Sequence, residues 1–235
     1  MENIIADIRA ALEAGADEKT RSTSQNYFKE KIRYYGVRIP VVNKISKDFF
    51  AKVQSVPKSE IFSFCEELWQ SNILEESFIA CNWSYYIRER YQREDFDTFE
   101  RWVATRVTNW AACDTLCNHS VGTFIEMFPE FTCRLREWTK SDNRWMKRAA
   151  AVAFIIPARK GLFPDDIFAI ADALLTDSDD MVQKGYGWML KAASEAHRDE
   201  VFRYVMNHKS VMPRTALRYA IEKMPPEMKA QAMAK

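Results

Sequence analysis

The chain has 235 residues, 47% of them apolar, and carries 34 Lys plus Arg against 33 Asp plus Glu, a formal net charge of +1. This length suffices for one large core or a continuous stack of smaller ones, and the near-neutral charge by itself points to no polyanionic partner. Only six glycines, together with few stretches that alternate with a period of two, argue against a barrel or sandwich. We therefore predict an all-α fold.

The sequence argues against a membrane protein, a disulfide-stabilised protein and a metal site. No charged-then-apolar signal segment is visible, and no apolar run approaches the roughly 20 residues of a membrane span, so we expect a soluble, cytoplasmic protein without a membrane partner. The five cysteines lack a CxxC spacing, which fits reduced thiols. Cys113 and Cys117 lie near His119, but no fourth ligand is in sight, and we predict no metal site.

The charge is unevenly distributed along the chain. Residues 134–235 hold 18 Lys plus Arg against 13 Asp plus Glu, a net of +5, whereas residues 1–133 hold 16 against 20, a net of −4. The C-terminal half is therefore the candidate anion-binding half, although solvated helix faces also produce such an imbalance.

Residues 1–60 are weakly periodic. The sequence predicts a helix from about Ile4 to Ala14, a second from about Ser24 to Tyr35, and a break at Gly36-Val-Arg-Ile-Pro40 before a third. We interpret this region as N-terminal capping helices.

Helix pairs recur in residues 61–235. A polar break follows the end of a first helix at spacings of 33, 36 and 37 residues, the period of a two-helix solenoid repeat. These breaks begin at Trp69, Trp102, Trp138 and Leu175, and the next falls near Asn207.

Capping residues support the same boundaries. Ser141-Asp142 and Ser178-Asp179 offer side-chain acceptors to the free amides of a helix start, and Pro164 with two following acids is typical of a first turn. No linker rich in Pro, Gly or Ser divides the chain, so we predict one continuous domain over residues 1–235.

Three segments occupy equivalent places in successive repeats: residues 110–114, 142–150 and 184–188. A stacked array would bring Trp110, Asp114, Arg148 and Trp188 onto one wall, because Trp110 and Asp114 share a helix face and Arg148 lies in the intervening repeat. The other tryptophans are assigned to the core, namely Trp69, Trp83, Trp102, Trp138 and Trp145.

These residues resemble the AlkD-type family of HEAT-like-repeat DNA glycosylases, which remove alkylated purines from DNA. The match runs from Tyr27 and the Gly36–Pro40 turn through Trp110 and Asp114, then Ser141-Asp142-Asn143 with Arg148-Ala-Ala, to Gly187-Trp188. The resemblance implies a right-handed-type solenoid of HEAT-like two-helix repeats whose concave face cradles duplex DNA, and a monomer without metal or organic cofactor.

The resemblance also implies roles for single residues. Asp114, Trp110 and Trp188 correspond to the family's excision site, and Arg148 to a contact with the DNA backbone. Ala111 stands where the family commonly has a second, non-catalytic acid, and Pro157 displaces the basic residues that follow Arg148 in the family.

Further DNA contacts are predicted at one aromatic and several basic positions. Tyr27 and Arg38 match family positions that approach DNA, although a packed tyrosine and a solvated arginine explain them almost as well. The remaining predicted phosphate contacts are Lys147, Arg159, Lys160, Lys191 and Arg214, the last two on the condition that their helices face the concave side.

The implied activity is hydrolysis of the N-glycosidic bond of positively charged N3- or N7-alkylated purines in duplex DNA, without extruding the base into a deep pocket. Two alternatives stay open. One is a non-catalytic HEAT-repeat protein that binds distorted or branched DNA, and the other is a HEAT-type scaffold that binds a protein segment.

Overall fold

A computed structural model describes residues 3–234 and confirms the all-α prediction. The chain is 73% helix, and no β-strand occurs in the described part. The chain divides into two compact units, Met1–Leu116 and Cys117–Lys235, each of which is described by itself. The single-domain organisation stays a prediction.

The first unit contains seven α-helices among its described residues. They are α1 (Ile4–Ala14), α2 (Glu18–Thr23), α3 (Ile39–Val53), α4 (Lys58–Gln70), α5 (Leu74–Tyr86), α6 (Asp95–Thr105) and α7 (Trp110–Leu116). Short 3₁₀ turns cover Ser24–Tyr27 and Arg88–Arg90.

Helix α1 has the predicted bounds. Asn3 caps it by accepting a hydrogen bond from the Ala6 amide at 3.2 Å, and the apolar side chains of Ile5, Ile8 and Leu12 recur on one buried face. Both signals are local in the sequence, which is why the prediction of this helix succeeds.

The predicted helix from Ser24 to Tyr35 is wrong. A 3₁₀ turn ends at Tyr27, and an extended segment follows as far as Arg38. The side-chain amide of Gln25 donates to the carbonyl of Glu30 at 2.8 Å, and its oxygen accepts from the amide of Ile32 at 3.2 Å. These side-chain bonds occupy backbone groups that a helix would need, so the extended form is favoured.

The second unit contains α8 (Gly122–Met127), α9 (Thr132–Trp138), α10 (Arg144–Val152), α11 (Ile155–Arg159), α12 (Pro164–Leu174), α13 (Asp180–Ala193), α14 (Arg198–His208), α15 (Arg214–Ala220) and α16 (Pro226–Met233). A π-helical turn covers Cys117–Val121, and a 3₁₀ turn covers Pro129–Phe131.

The helix starts of the second unit follow the predicted capping chemistry. Pro164 opens α12, and Asp179 caps α13 through the amides of Met181 and Val182. The cap of α10 lies one residue beyond the predicted pair: Asn143 accepts from the Trp145 amide at 2.9 Å, and the Ser141 hydroxyl accepts from the Asn143 amide.

The predicted helix-pair period is confirmed within each unit. First helices end at Gln70, Thr105, Trp138, Leu174 and His208, each followed by a short break and a second helix. The pairs α4–α5, α9–α10, α12–α13 and α14–α15 pack against each other. No helix within residues 3–234 combines the length and apolar character that a membrane crossing requires.

The tryptophans separate into two groups by exposure. The five assigned to the core are all buried, with Trp83 and Trp102 completely inaccessible. Trp110 and Trp188 are partly exposed. This difference confirms the predicted core set and leaves two indoles available at the surface.

Candidate functional site

Helix α7 carries Trp110 at its first position and Asp114 one turn later, and both side chains are partly exposed. Asn109 starts the helix by accepting a hydrogen bond from the Ala112 amide at 2.9 Å. The helix packs on α5 through its buried residues, which include Cys113 and Leu116. The sequence pattern therefore leaves an indole and a carboxylate on the accessible face of one turn.

The indole of Trp110 is held by the preceding extended segment. Its Nε1 donates to the carbonyl oxygen of Tyr27 at 3.1 Å, and its ring stacks on Phe28 with centroids 5.4 Å apart and planes 21° from parallel. Tyr27 itself is 72% exposed. These contacts fix the orientation of Trp110 and place an exposed tyrosine beside it.

Glu75 anchors the returning part of that segment. Its carboxylate is buried and accepts hydrogen bonds from the amides of Tyr35, Gly36 and Val37 at 3.0, 2.8 and 3.0 Å. Gly36 has a φ of +89°, which favours glycine, and a Cβ there would lie 2.7 Å from Arg21. The end of the segment that carries Tyr27 is thus held by a carboxylate 40 residues beyond Tyr35, for which the sequence offers no signal.

A mainly apolar cavity of about 260 Å³ adjoins Trp110. The structure brings three predicted site residues to its wall, namely Tyr27, Arg38 and Trp110. Ala111 also lines it, so the position where the family commonly has an acid contributes a methyl group here. The other lining residues are Thr20, Ser24, Phe28, Val37, Ile39, Leu74, Glu75 and Phe78.

Arg148 lies in the second unit on α10 and is only 4% exposed. Its Nη1 donates to the carbonyl oxygen of Met181 at 2.5 Å. A Cβ added to Gly185 would lie 3.2 Å from the Arg148 Cγ, so the glycine leaves room for the arginine stem. Arg148 and Gly185, which lie in two of the three segments that the sequence places equivalently in successive repeats, are thus in direct packing contact.

Trp188 lies on α13, three residues beyond Gly185 and on the same side of the helix. The preceding Gly187 permits close packing of α13 on α15, because a Cβ there would lie 2.7 Å from the Tyr219 Cβ and 2.8 Å from the Ala216 carbonyl oxygen. Helix α13 is therefore held rigidly where it presents Trp188.

Most of the other predicted phosphate contacts form ion pairs within the protein. Lys147 pairs with Asp177 at 2.9 Å, Arg159 with Glu195 at 3.6 Å, Lys160 with Glu126 at 2.7 Å, Lys191 with Glu222 at 3.0 Å and Arg38 with Asp17 at 3.6 Å. Arg214 is exposed at the start of α15. The solvent-exposed pairs among these contribute about 0 to 1 kcal/mol.

The predicted site residues are divided between the two units. Trp110, Asp114, Tyr27 and Arg38 belong to the first unit, and Arg148 with Trp188 to the second. Their joint arrangement on one wall stays a prediction. Within residues 3–234, no three His, Cys, Asp or Glu side chains are grouped so as to hold a metal ion.

Comparison with known proteins gives one family. The sequence model described as DNA alkylation repair enzyme matches residues 8–224. A solved structure from Enterococcus faecalis, described as a predicted DNA alkylation repair enzyme, superposes with a TM-score of 0.81 at 17% identity, over 90% of this chain and 97% of that one. At this identity the superposition shows the fold alone. No curated protein sequence matches the chain.

Proposed function

Because the chain belongs to the family of DNA alkylation repair enzymes, we propose that it is a monofunctional DNA glycosylase acting on N3- or N7-alkylated purines in duplex DNA. The observation that supports this most strongly is the accessible face of α7, where Trp110 and Asp114 lie one turn apart. In the rest of the chain, five tryptophans are buried in packing, which sets Trp110 and Trp188 apart.

The chemistry of the substrate determines what the protein must supply. Alkylation of a purine ring nitrogen gives the base a positive charge, so the base takes the electron pair of the breaking C1′–N bond and leaves neutral. Such a leaving group needs little general-acid assistance. The developing charge resides on the sugar instead, and catalysis requires its stabilisation.

Asp114 is the group we assign to the sugar cation. A carboxylate lowers the energy of an oxocarbenium-like centre electrostatically and orients the water that attacks C1′. The water oxygen forms the new bond to C1′, and its proton passes to the carboxylate or to solvent. The products are the neutral alkylated purine and an abasic sugar.

The two accessible indoles supply a second source of selectivity. An electron-rich aromatic face attracts a nearby cation by about 0.5 to 2 kcal/mol, depending on desolvation. Because Trp110 is held by Tyr27 and Phe28, its face is oriented before DNA binds. Trp110 and Trp188 would therefore favour the charged nucleotide and the cationic transition state over an ordinary base.

We assign Arg148 to the DNA backbone. The resemblance gives this position a backbone contact, and a planar guanidinium matches the geometry of a phosphate. The side chain is nearly buried, so it would fix the strand from a rigid position rather than by a flexible reach.

The cavity beside Trp110 lacks the hydrogen-bonding groups by which an extruded base is usually recognised. Base-flipping enzymes recognise the base through hydrogen bonds to its Watson–Crick edge. The carboxylate of Glu75 at this cavity already accepts three backbone amides, and most of the lining is apolar. We therefore propose excision with the lesion in or near the base stack.

The decisive experiment is base release from a duplex that contains one N7-methylguanine. Wild type should release the base, whereas Asp114→Asn should be slower by about 100-fold or more and still bind DNA. Asp48→Asn, which alters an exposed carboxylate on α3, is the matched control and should retain full activity. Thermal unfolding of all three proteins checks that the fold is intact.

The alternatives give different results in the same experiment. Tight, salt-sensitive DNA binding without base release by wild type would favour a non-catalytic protein that binds distorted or branched DNA. Absence of DNA retention at low salt would favour a scaffold for protein segments. Equal release rates for wild type and Asp114→Asn would remove Asp114 from the mechanism.

A further inference from the structure

A small cleft in the first unit lies between the loops that precede α5 and α7. Its cavity measures about 20 Å³, which accommodates about one water-sized group. Trp69 and Asn109 are buried in its wall, whereas Lys31, Arg33 and Thr108 are exposed. The cleft is therefore a narrow polar recess with basic residues at its edge.

Trp69, which lines this recess, carries an unused donor, its indole N–H. Trp69 is 3% exposed, and its Nε1 has no hydrogen-bond partner among the described residues. A buried donor left without an acceptor is costly, and buried polar groups in native proteins are nearly always satisfied. The group that occupies the recess should consequently offer a hydrogen-bond acceptor.

The charge around the recess specifies an anionic acceptor. No Asp or Glu occurs among the described residues that line it. Arg33 donates one N–H to the Ser71 carbonyl at 3.0 Å, and further donors remain on its guanidinium. Arg106 adds less charge, because Glu66 pairs with it at 2.6 Å. Lys31 and Arg33 therefore dominate the field.

The backbone around the recess is firmly held. The amide of Leu74 donates to the Arg33 carbonyl at 2.9 Å, which joins the basic segment to the N-terminus of α5. The hydroxyl of Thr108 donates to the Asn72 side chain at 3.1 Å and ties the two loops together.

The recess adjoins the proposed excision site. Consecutive residues of α7 line the two cavities, since Ala111 contributes to the one beside Trp110 and Ala112 to the recess. Lys31 and Arg33 also lie on the extended segment that follows Tyr27. A nucleic-acid strand placed against Trp110 and Tyr27 thus has a basic recess beside it.

We propose that this recess binds one phosphate of the DNA backbone. A non-bridging oxygen enters the cavity and accepts the Trp69 indole N–H, while Lys31 and Arg33 neutralise the phosphate charge at the mouth. The inference rests on the proposed action on DNA and adds a strand-anchoring site in the first unit.

The first test measures DNA affinity as a function of salt. The variants are Lys31→Gln, Arg33→Gln and, as a charge-matched control, Lys52→Gln, which lines a different cavity. Removal of one phosphate contact should lower the slope of log K against log salt by about one in the first two variants and leave the control unchanged. An unchanged slope in both test variants, or an equal fall in the control, overturns the proposal.

The second test observes the indole directly. The Trp69 Nε1–H resonance, identified with Trp69→Phe, should move when unmodified duplex DNA is added. Inorganic phosphate against chloride at equal ionic strength shows whether the recess takes a free anion. A shift with phosphate but not with DNA overturns the assignment to the backbone, and the absence of a shift with either ligand overturns the proposal as a whole.

These readouts are independent of base release. Reduced slopes and a shifted indole in a protein that releases no base would refute the glycosylase proposal and support the phosphate site. Base release with unchanged slopes in the recess variants would refute only the site.

Discussion

Replacement of Glu75 by alanine should destabilise the first unit strongly. The carboxylate is 3% exposed and accepts three backbone N–H groups, two of them from the buried residues Gly36 and Val37. A hydrogen bond to a charged group contributes about 1.5 to 3 kcal/mol, and amides left without an acceptor in the interior add their desolvation cost. Because water reaches part of the vacated space and the bonds are not additive, we expect a loss of about 3 to 5 kcal/mol.

Glu75→Gln gives a graded version of the same perturbation. Its single carbonyl oxygen can serve Gly36 and Val37, but its NH₂ group would face the amide of Tyr35. One of the three bonds is therefore lost together with the charge, and we expect a loss of about 1 to 2 kcal/mol.

Urea unfolding followed by circular dichroism measures these free energies, and hydrogen exchange of the Gly36 and Val37 amides measures the local effect. Glu13→Ala makes the same kind of change at an exposed position on α1 and should stay within about 0.5 kcal/mol of wild type. If Glu75→Ala were as stable as Glu13→Ala, the anchoring role of this carboxylate would be refuted.

Two further predictions concern the second unit. Gly187→Ala should destabilise by about 1 to 3 kcal/mol in thermal unfolding, because the added Cβ meets Tyr219 and backbone; a gain of about 1 kcal/mol, which helix propensity alone gives, would contradict the packing argument. Burial, reinforced by the hydrogen bond to Asp172, raises the pKa of Tyr204 in the folded protein. The neutral side chain therefore stabilises the fold fully below pH 10, and this contribution is lost as pH rises above the pKa of tyrosine in the unfolded chain, about 10. Wild type should lose about 1.4 kcal/mol more per pH unit above pH 10 than Tyr204→Phe, and parallel curves for the two proteins would refute the shift.

The sequence was sufficient for the elements whose causes are local. The bounds of α1 follow from a cap and an apolar stripe within a dozen residues, and Pro164 and Asp179 mark the starts of α12 and α13 in the same way. The tryptophan near the end of a first helix recurs at Trp69, Trp102 and Trp138 because each repeat buries an equivalent position, which is why these three could be assigned to the core in advance.

The segment from Ser24 to Tyr35 could not be predicted for the opposite reason. Its residues are compatible with a helix, but Glu75 takes the amides at its end and Gln25 takes backbone groups within it. Local periodicity carries no information about a buried carboxylate that a later helix supplies. The contacts of Trp110 with Tyr27 and Phe28 were missed as a consequence, and so was the recess at Trp69, since its unused N–H becomes apparent only in three dimensions.

The paired state of the predicted phosphate contacts bears on how the protein would bind DNA. A cation that already holds a carboxylate, such as Lys147 with Asp177 or Lys160 with Glu126, gives up one anion when it takes another. When such a cation binds a DNA phosphate, counterions leave the DNA, but the displaced carboxylate takes up small cations from solution. The net release of ions is therefore smaller than for a lysine or arginine that was solvated before binding. The basic excess of residues 134–235 therefore overstates the electrostatic contribution of that half, and the dependence of DNA affinity on salt should be shallower than the number of lysines and arginines indicates.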